Sequence, residues 1–75
     1  MDFELVEITL PAGRSVSFPA SAYEDRRHVI WILEGELRLR EGDEDHLLSV
    51  GDRLRFGEPQ DVTYRNAASE QAVIS

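Results

Sequence analysis

The sequence predicts an all-β fold, a small barrel or sandwich of short strands. Three observations carry this expectation. Turn signals recur at the spacing of about 8–12 residues that such folds show, at Pro11-Ala12-Gly13, Pro19, Glu34-Gly35, Gly42, Gly51-Asp52 and Gly57-Glu58-Pro59. Between these signals apolar residues alternate with polar ones, the period of a strand with one buried face. No segment repeats its apolar residues at helical spacing.

Each element follows in order. Phe3 to Leu10 alternates, with Phe3 and Leu5 on one parity and Val6, Ile8 and Leu10 on the other. Pro11-Ala12-Gly13 ends it, because proline fixes φ and glycine supplies the positive φ of a tight turn. Ser15 to Phe18 alternates again, Val16 and Phe18 pointing inward, and Pro19 stops it. Ser21 to Arg27 is polar and reads as a loop. Val29 to Leu33 is the strongest strand, β-branched and apolar on both parities. A strand of that kind predicts cover on both faces, from the barrel interior and from another sheet or subunit. Glu34-Gly35 reads as a tight hairpin into Glu36 to Arg40, where Leu37 and Leu39 alternate with Arg38 and Arg40. Glu41 to Asp45 reads as an acidic turn. His46 to Val50, Leu54/Phe56, Val62/Tyr64 and Ala72 to Ile74 complete the strands.

Seventy-five residues form a single domain, residues 1–75. A core of this size gains from dimerisation or from attachment to a longer chain, and an excised C-terminal domain is one reading. With no cysteine there is no disulfide framework and no thiolate metal site. The longest apolar run is far too short to span a bilayer, and the acidic N-terminus lacks the basic start of a signal peptide. The expectation is a cytoplasmic protein without membrane contact. A net charge of −7 repels phosphate backbones, so no direct nucleic-acid contact is expected of this segment. All eight basic residues are arginine, and Arg38/Arg40 and Arg53/Arg55 each share a strand face. Such a pair is either a solvated face balancing the acids or an anion- or partner-binding stripe.

Gly51 to Asn66, GDRLRFGEPQDVTYRN, resembles the second sequence motif of the cupins. In that motif Gly, Pro, Gly, a metal-binding His and Asn recur at fixed spacing. Gly51 and Asn66 match, Gly57 stands at the Pro position, Pro59 at the second Gly position and Val62 at the His position. The family's first motif ends in a Gly that Gly35 fits. Counting back places His28 at its Glu, Tyr23 or Glu24 at its second His, and Ser21 or Ala22 at its first. The patterns Leu10-Pro11-Ala12-Gly13, His28 to Gly35, Leu48 to Asp52 and Tyr64-Arg65-Asn66 are similar to those in cupin halves of helix-turn-helix regulators.

The resemblance implies a cupin-type jelly-roll β-barrel of two antiparallel sheets. It also implies a barrel whose usual ion-gripping side chains are gone, since a divalent metal needs three or four converging N/O ligands. No metal and no cofactor is expected. The implied function is a metal-free module that binds a small-molecule effector and dimerises, in a bacterial transcriptional regulator. The alternatives are a small metal-dependent enzyme, an isomerase or dioxygenase, and a stand-alone structural cupin.

The candidate ligand-binding residues are His28, Tyr23, Ile30, Ile32, Phe56, Val62 and Tyr64. His28 shares strand parity with Ile30 and Ile32, so all three point into the barrel. There His28 is either a mouth histidine satisfied by a hydrogen bond or a polar anchor for a bound molecule. The rings are core or dimer contacts in one reading and apolar pocket walls in the other. Trp31 has the opposite parity and is placed on the outer face as a homodimer anchor. Asp43-Glu44-Asp45-His46 lacks the spacing and glycine of a calcium loop and reads as a solvated turn. Asp52 and Asp61 read as turn residues bonding nearby backbone N–H groups.

Overall fold

The computed structural model describes residues 7–23, with the backbone only of Tyr23, and residues 29–75. The strands are β1 (Ile8–Leu10), β2 (Ser15–Phe18), β3 (Val29–Glu34), β4 (Glu36–Glu41), β5 (Glu44–Ser49), β6 (Arg53–Arg55), β7 (Val62–Arg65) and β8 (Ala72–Ile74). All pairings are antiparallel, in two four-stranded sheets of order β1-β8-β3-β6 and β2-β7-β4-β5. The alternating residues of each sheet meet between them. Ile30, Ile32, Leu10 and Ile74 from the first sheet pack against Leu37, Leu39, Leu48, Val62 and Tyr64 from the second, with Phe56 from the loop after β6. Burying a side chain such as Ile32 or Leu37 contributes about 1.5–3 kcal/mol, and this single cluster is the core.

Several expectations change in three dimensions. Glu34-Gly35 is not a hairpin, because β3 and β4 belong to different sheets. The register of β3 on β8 shifts between Ile32 and Glu34, a bulge that bends the strand toward the corner. Gly35 then turns the chain from one sheet to the other at φ 81°. A Cβ at Gly35 would strike the Gln71 carbonyl and crowd Ala72, so only glycine fits this corner. The acidic turn is shorter than its composition suggests. Only Gly42 and Asp43 form the loop, Gly42 at φ 57°, while Glu41 ends β4 and Glu44 opens β5. The polar segment after Pro19 begins with one turn of 3-10 helix, Ala20–Tyr23, before residues 24–28 outside the description. Of the first expected strand, Ile8–Leu10 is a strand and residues 1–6 lie outside the described residues.

The outer face of β3 has no cover from another sheet among the described residues. Ile30 and Ile32 are buried against the second sheet, but Val29, Trp31 and Leu33 are exposed, Trp31 by 48%. The second sheet covers one side only, and no other element of this chain reaches the far side among the described residues. Arg53 lies over the Trp31 ring, 5.4 Å from its centroid, as cross-strand pairing of the two dictates.

Asn66 joins the two sheets' ends. It is fully buried, and its Nδ2 donates to the Leu10 carbonyl (2.9 Å) and the Glu70 carbonyl (2.8 Å). Its Oδ1 accepts from the Ala68 N–H at 3.0 Å.

Candidate functional site

Strand alternation sends Ile30 and Ile32 from β3, and Val62 and Tyr64 from β7, to the same interior, and Phe56 joins them from the β6–β7 loop. All five belong to one buried cluster, completed by an edge-on contact of Phe18 with Tyr64 (centroids 5.6 Å apart). The structure therefore brings these candidate residues together. His28 and Glu24 lie outside the described residues, as does the Tyr23 side chain.

The described family positions do not suit a metal. Val62, where the second motif carries its His, is 1% exposed and has no donor atom. Ser21 and Ala22 are exposed on the 3-10 turn. No reaction step is derived through a metal held there.

A polar corner stands beside Val62 instead. Leu37, Leu39 and Glu41 alternate inward on β4, so Glu41 is only 7% exposed, and β7 pairs Val62 directly with it. Across the β4–β5 hairpin the partners are Glu41 with Glu44 and Leu39 with His46. His46 Nε2 lies 3.8 Å from Glu41 Oε1 and 3.6 Å from Glu44 Oε2. It is shielded from solvent and makes no hydrogen bond. The other Glu41 oxygen accepts from the Gly57 N–H at 2.8 Å. Asp43, Glu44 and Asp45 are exposed, as expected of a solvated turn, but His46 is half-buried and meets Glu41 in a carboxylate–imidazole corner, which the inward parity of Glu41 and His46 with their leucine neighbours could have indicated.

The loop that follows is anchored on two sides. Gly42 N–H donates to the Asp61 carbonyl at 2.9 Å, and Asp61 Oδ1 accepts from the Ala20 N–H at 2.8 Å. Asp52 Oδ2 accepts from the Ser49 N–H at 2.8 Å. Asp52 bonds a nearby backbone N–H as expected, whereas Asp61 bonds not its own turn but the distant Ala20 segment. On the outer face of the second sheet, Arg65 joins the Arg38/Arg40 stripe, since β4 and β7 pair Arg38 with Arg65. With Thr63, Asp45 and Leu47 they line a groove of about 500 Å³. Arg40 is engaged there by Asp45 at 3.9 Å, an exposed pair of little energetic weight.

This two-sheet barrel matches solved structures closely. The Cupin_2 domain of an XRE-family transcriptional regulator from Enterobacter cloacae superposes with a TM-score of 0.72 over 91% of this chain and 70% of that one, at 22% identity. The chain has a cupin-2-like fold. A second cupin-2 protein, from Shewanella frigidimarina, superposes with a TM-score of 0.67, covering 91% of this chain and 63% of its own, at 15% identity. No protein-family model and no curated protein matches the sequence. The cupin-2-like fold is therefore present at low sequence identity, and in this chain Gly35 makes its corner and Asn66 its latch. Among the described residues no helix is long and apolar enough to cross a membrane.

Proposed function

We propose that this cupin-2-like domain is a binding and dimerisation module, the effector-sensing half of a bacterial transcriptional regulator. The observation that carries the reading is the exchange of polarity at Val62. The family's ligand position is filled by apolar packing, while the apolar side chains Val29, Trp31 and Leu33 stand in solvent on the opposite face of the first sheet. A row of exposed apolar residues on a small domain suits a second copy of the same chain, joined by an isologous contact centred on Trp31. The fold neighbour from Enterobacter cloacae belongs to a transcriptional regulator, which supports that context.

In this reading the effector is bound by the candidate set Tyr23, His28, Phe56 and Val62. Ile30, Ile32 and Tyr64 form the apolar wall, and His28 is the polar anchor. A small organic molecule with one apolar face and one hydrogen-bonding group fits that composition. It acts through different affinities for two states of the dimer.

Sedimentation at several concentrations tests the dimer. Trp31→Glu is expected to raise the dimer dissociation constant at least about 30-fold. A wild-type protein that stays monomeric at high concentration removes the dimerisation role. A thermal-shift screen of amino acids, sugars and organic acids tests the effector role. A ligand at about 100 times its dissociation constant stabilises by about 2.7 kcal/mol, a shift of several degrees. If no compound shifts the melting temperature, only the scaffold role remains.

A further inference from the structure

The geometry points to a divalent transition-metal site formed by Glu41, Glu44 and His46, on strands the family's metal positions do not use. Ligand atoms of the three residues all lie within 4.8 Å of one another. The two imidazole–carboxylate separations, 3.6 and 3.8 Å, are close to the edge of a coordination tetrahedron. With metal–ligand bonds of about 2.0–2.2 Å that edge is about 3.3–3.6 Å. Glu44 is exposed, so its side chain is free to rotate and would close the remaining distance on binding an ion.

Two further observations single this cluster out from an ordinary acidic surface. His46 Nε2 is buried without a hydrogen bond, and it faces both carboxylates. A buried polar atom left without a partner is costly, so its natural complement is a proton or a metal. Glu41 is itself more than nine-tenths buried, its Oε2 is fixed by the Gly57 N–H, and its Oε1 faces His46 Nε2 at 3.8 Å. That backbone bond orients the carboxylate as outer-shell partners orient metal ligands. Glu41 and Glu44 are also direct cross-strand partners, a like-charge pair that is destabilising unless a cation lies between them.

One imidazole and two carboxylates suit Zn²⁺ or Mn²⁺ and leave coordination positions for water or an anion. The ion would tie the β4–β5 hairpin to the Gly57 end of the β6–β7 loop, beside Val62. The site stands whether or not the barrel takes an organic effector or dimerises.

The test uses the full chain, free of any affinity tag and dialysed against chelator. Calorimetric titration with ZnCl₂ and with MnCl₂ is expected to show one site per chain. His46→Ala and Glu44→Gln are each expected to weaken binding at least about tenfold. Asp45→Asn, on the outer side of the same strand, is expected to change it less than twofold. Glu44 is exposed, so the Glu44→Gln variant reads the site even if His46→Ala folds poorly. Mn²⁺ is further expected to broaden the amide resonances of Glu41, Glu44, His46 and Gly57 selectively. Three results overturn the proposal. They are no binding at sub-millimolar metal, binding undiminished in both variants, and broadening confined to Asp43 and Asp45.

Discussion

β7 runs between two buried polar groups, and they are not alike. Asn66, just past its C-terminal end, is fully buried and has three of its side-chain hydrogen bonds made, all to backbone. Glu41, paired with Val62 at its N-terminal end, is nearly as buried but holds one backbone bond. Its second oxygen looks toward a buried imidazole nitrogen that lacks a hydrogen bond. The same sheet therefore carries a saturated polar group and an unsaturated one. Saturation marks Asn66 as architecture, because a closed network rigidifies and has no capacity for a ligand. Spare capacity in a shielded place marks Glu41 as a site.

The largest effect should come from removing the saturated group. Asn66→Ala leaves the Leu10 and Glu70 carbonyls and the Ala68 N–H without their partner at once. The Leu10 bond is buried and the other two are part-buried, so a loss of about 2–3 kcal/mol is expected in denaturant unfolding. That is a large part of the stability of so small a domain. A loss below about 1 kcal/mol would mean that water replaces the amide, and the contrast between the two ends would disappear.

The unsaturated group should respond differently to two substitutions. Glu41→Gln keeps an oxygen for the Gly57 N–H and removes the repulsion from Glu44, so metal-free stability should stay within about 1 kcal/mol of the original. Glu41→Ala leaves Gly57 N–H unpaired beside the core, at a cost of about 1–3 kcal/mol. Equal losses for the two variants in chemical denaturation would show that packing, not the hydrogen bond, holds Glu41 in place.

Much of this was legible in the chain. Period-two alternation put Leu37, Leu39, Val62 and Tyr64 inside, and glycine and asparagine spacing gave the barrel. The corner at Gly35 was not legible, because a positive-φ glycine serves equally a hairpin and a crossing between sheets. Only the close approach of the Gln71–Ala72 backbone, far along the chain and following no local pattern, decides between them. The Glu41–His46 corner was half legible. Composition made residues 41–45 look like a solvated turn, since acids rarely enter a core. Parity argued otherwise: Glu41 continues the series of Leu37 and Leu39, and His46 shares the face of Leu48. The register that sets Glu41 against both Glu44 and Val62 depends on a two-residue loop and on a strand far along the chain, which alternation does not encode. His28, the candidate polar anchor, lies outside the described residues.

The smallest expected effect separates burial from bond count. Asp61, like Glu41, holds one backbone N–H through a single carboxylate oxygen, at the same 2.8 Å. It is exposed, so water can take over either partner when the bond is lost. Asp61→Ala should therefore cost no more than about 1 kcal/mol, at the lower end for a hydrogen bond, and Asp61→Asn only a few tenths. Hydrogen exchange should show the difference locally, with the Ala20 amide exchanging faster in Asp61→Ala while the Leu39 and Tyr64 amides keep their protection. If Asp61→Ala instead costs as much as Glu41→Ala, the number of bonds alone sets the energy. Glu41 would then owe nothing to its shielded position, and the distinction drawn between the ends of β7 would rest on Asn66 alone.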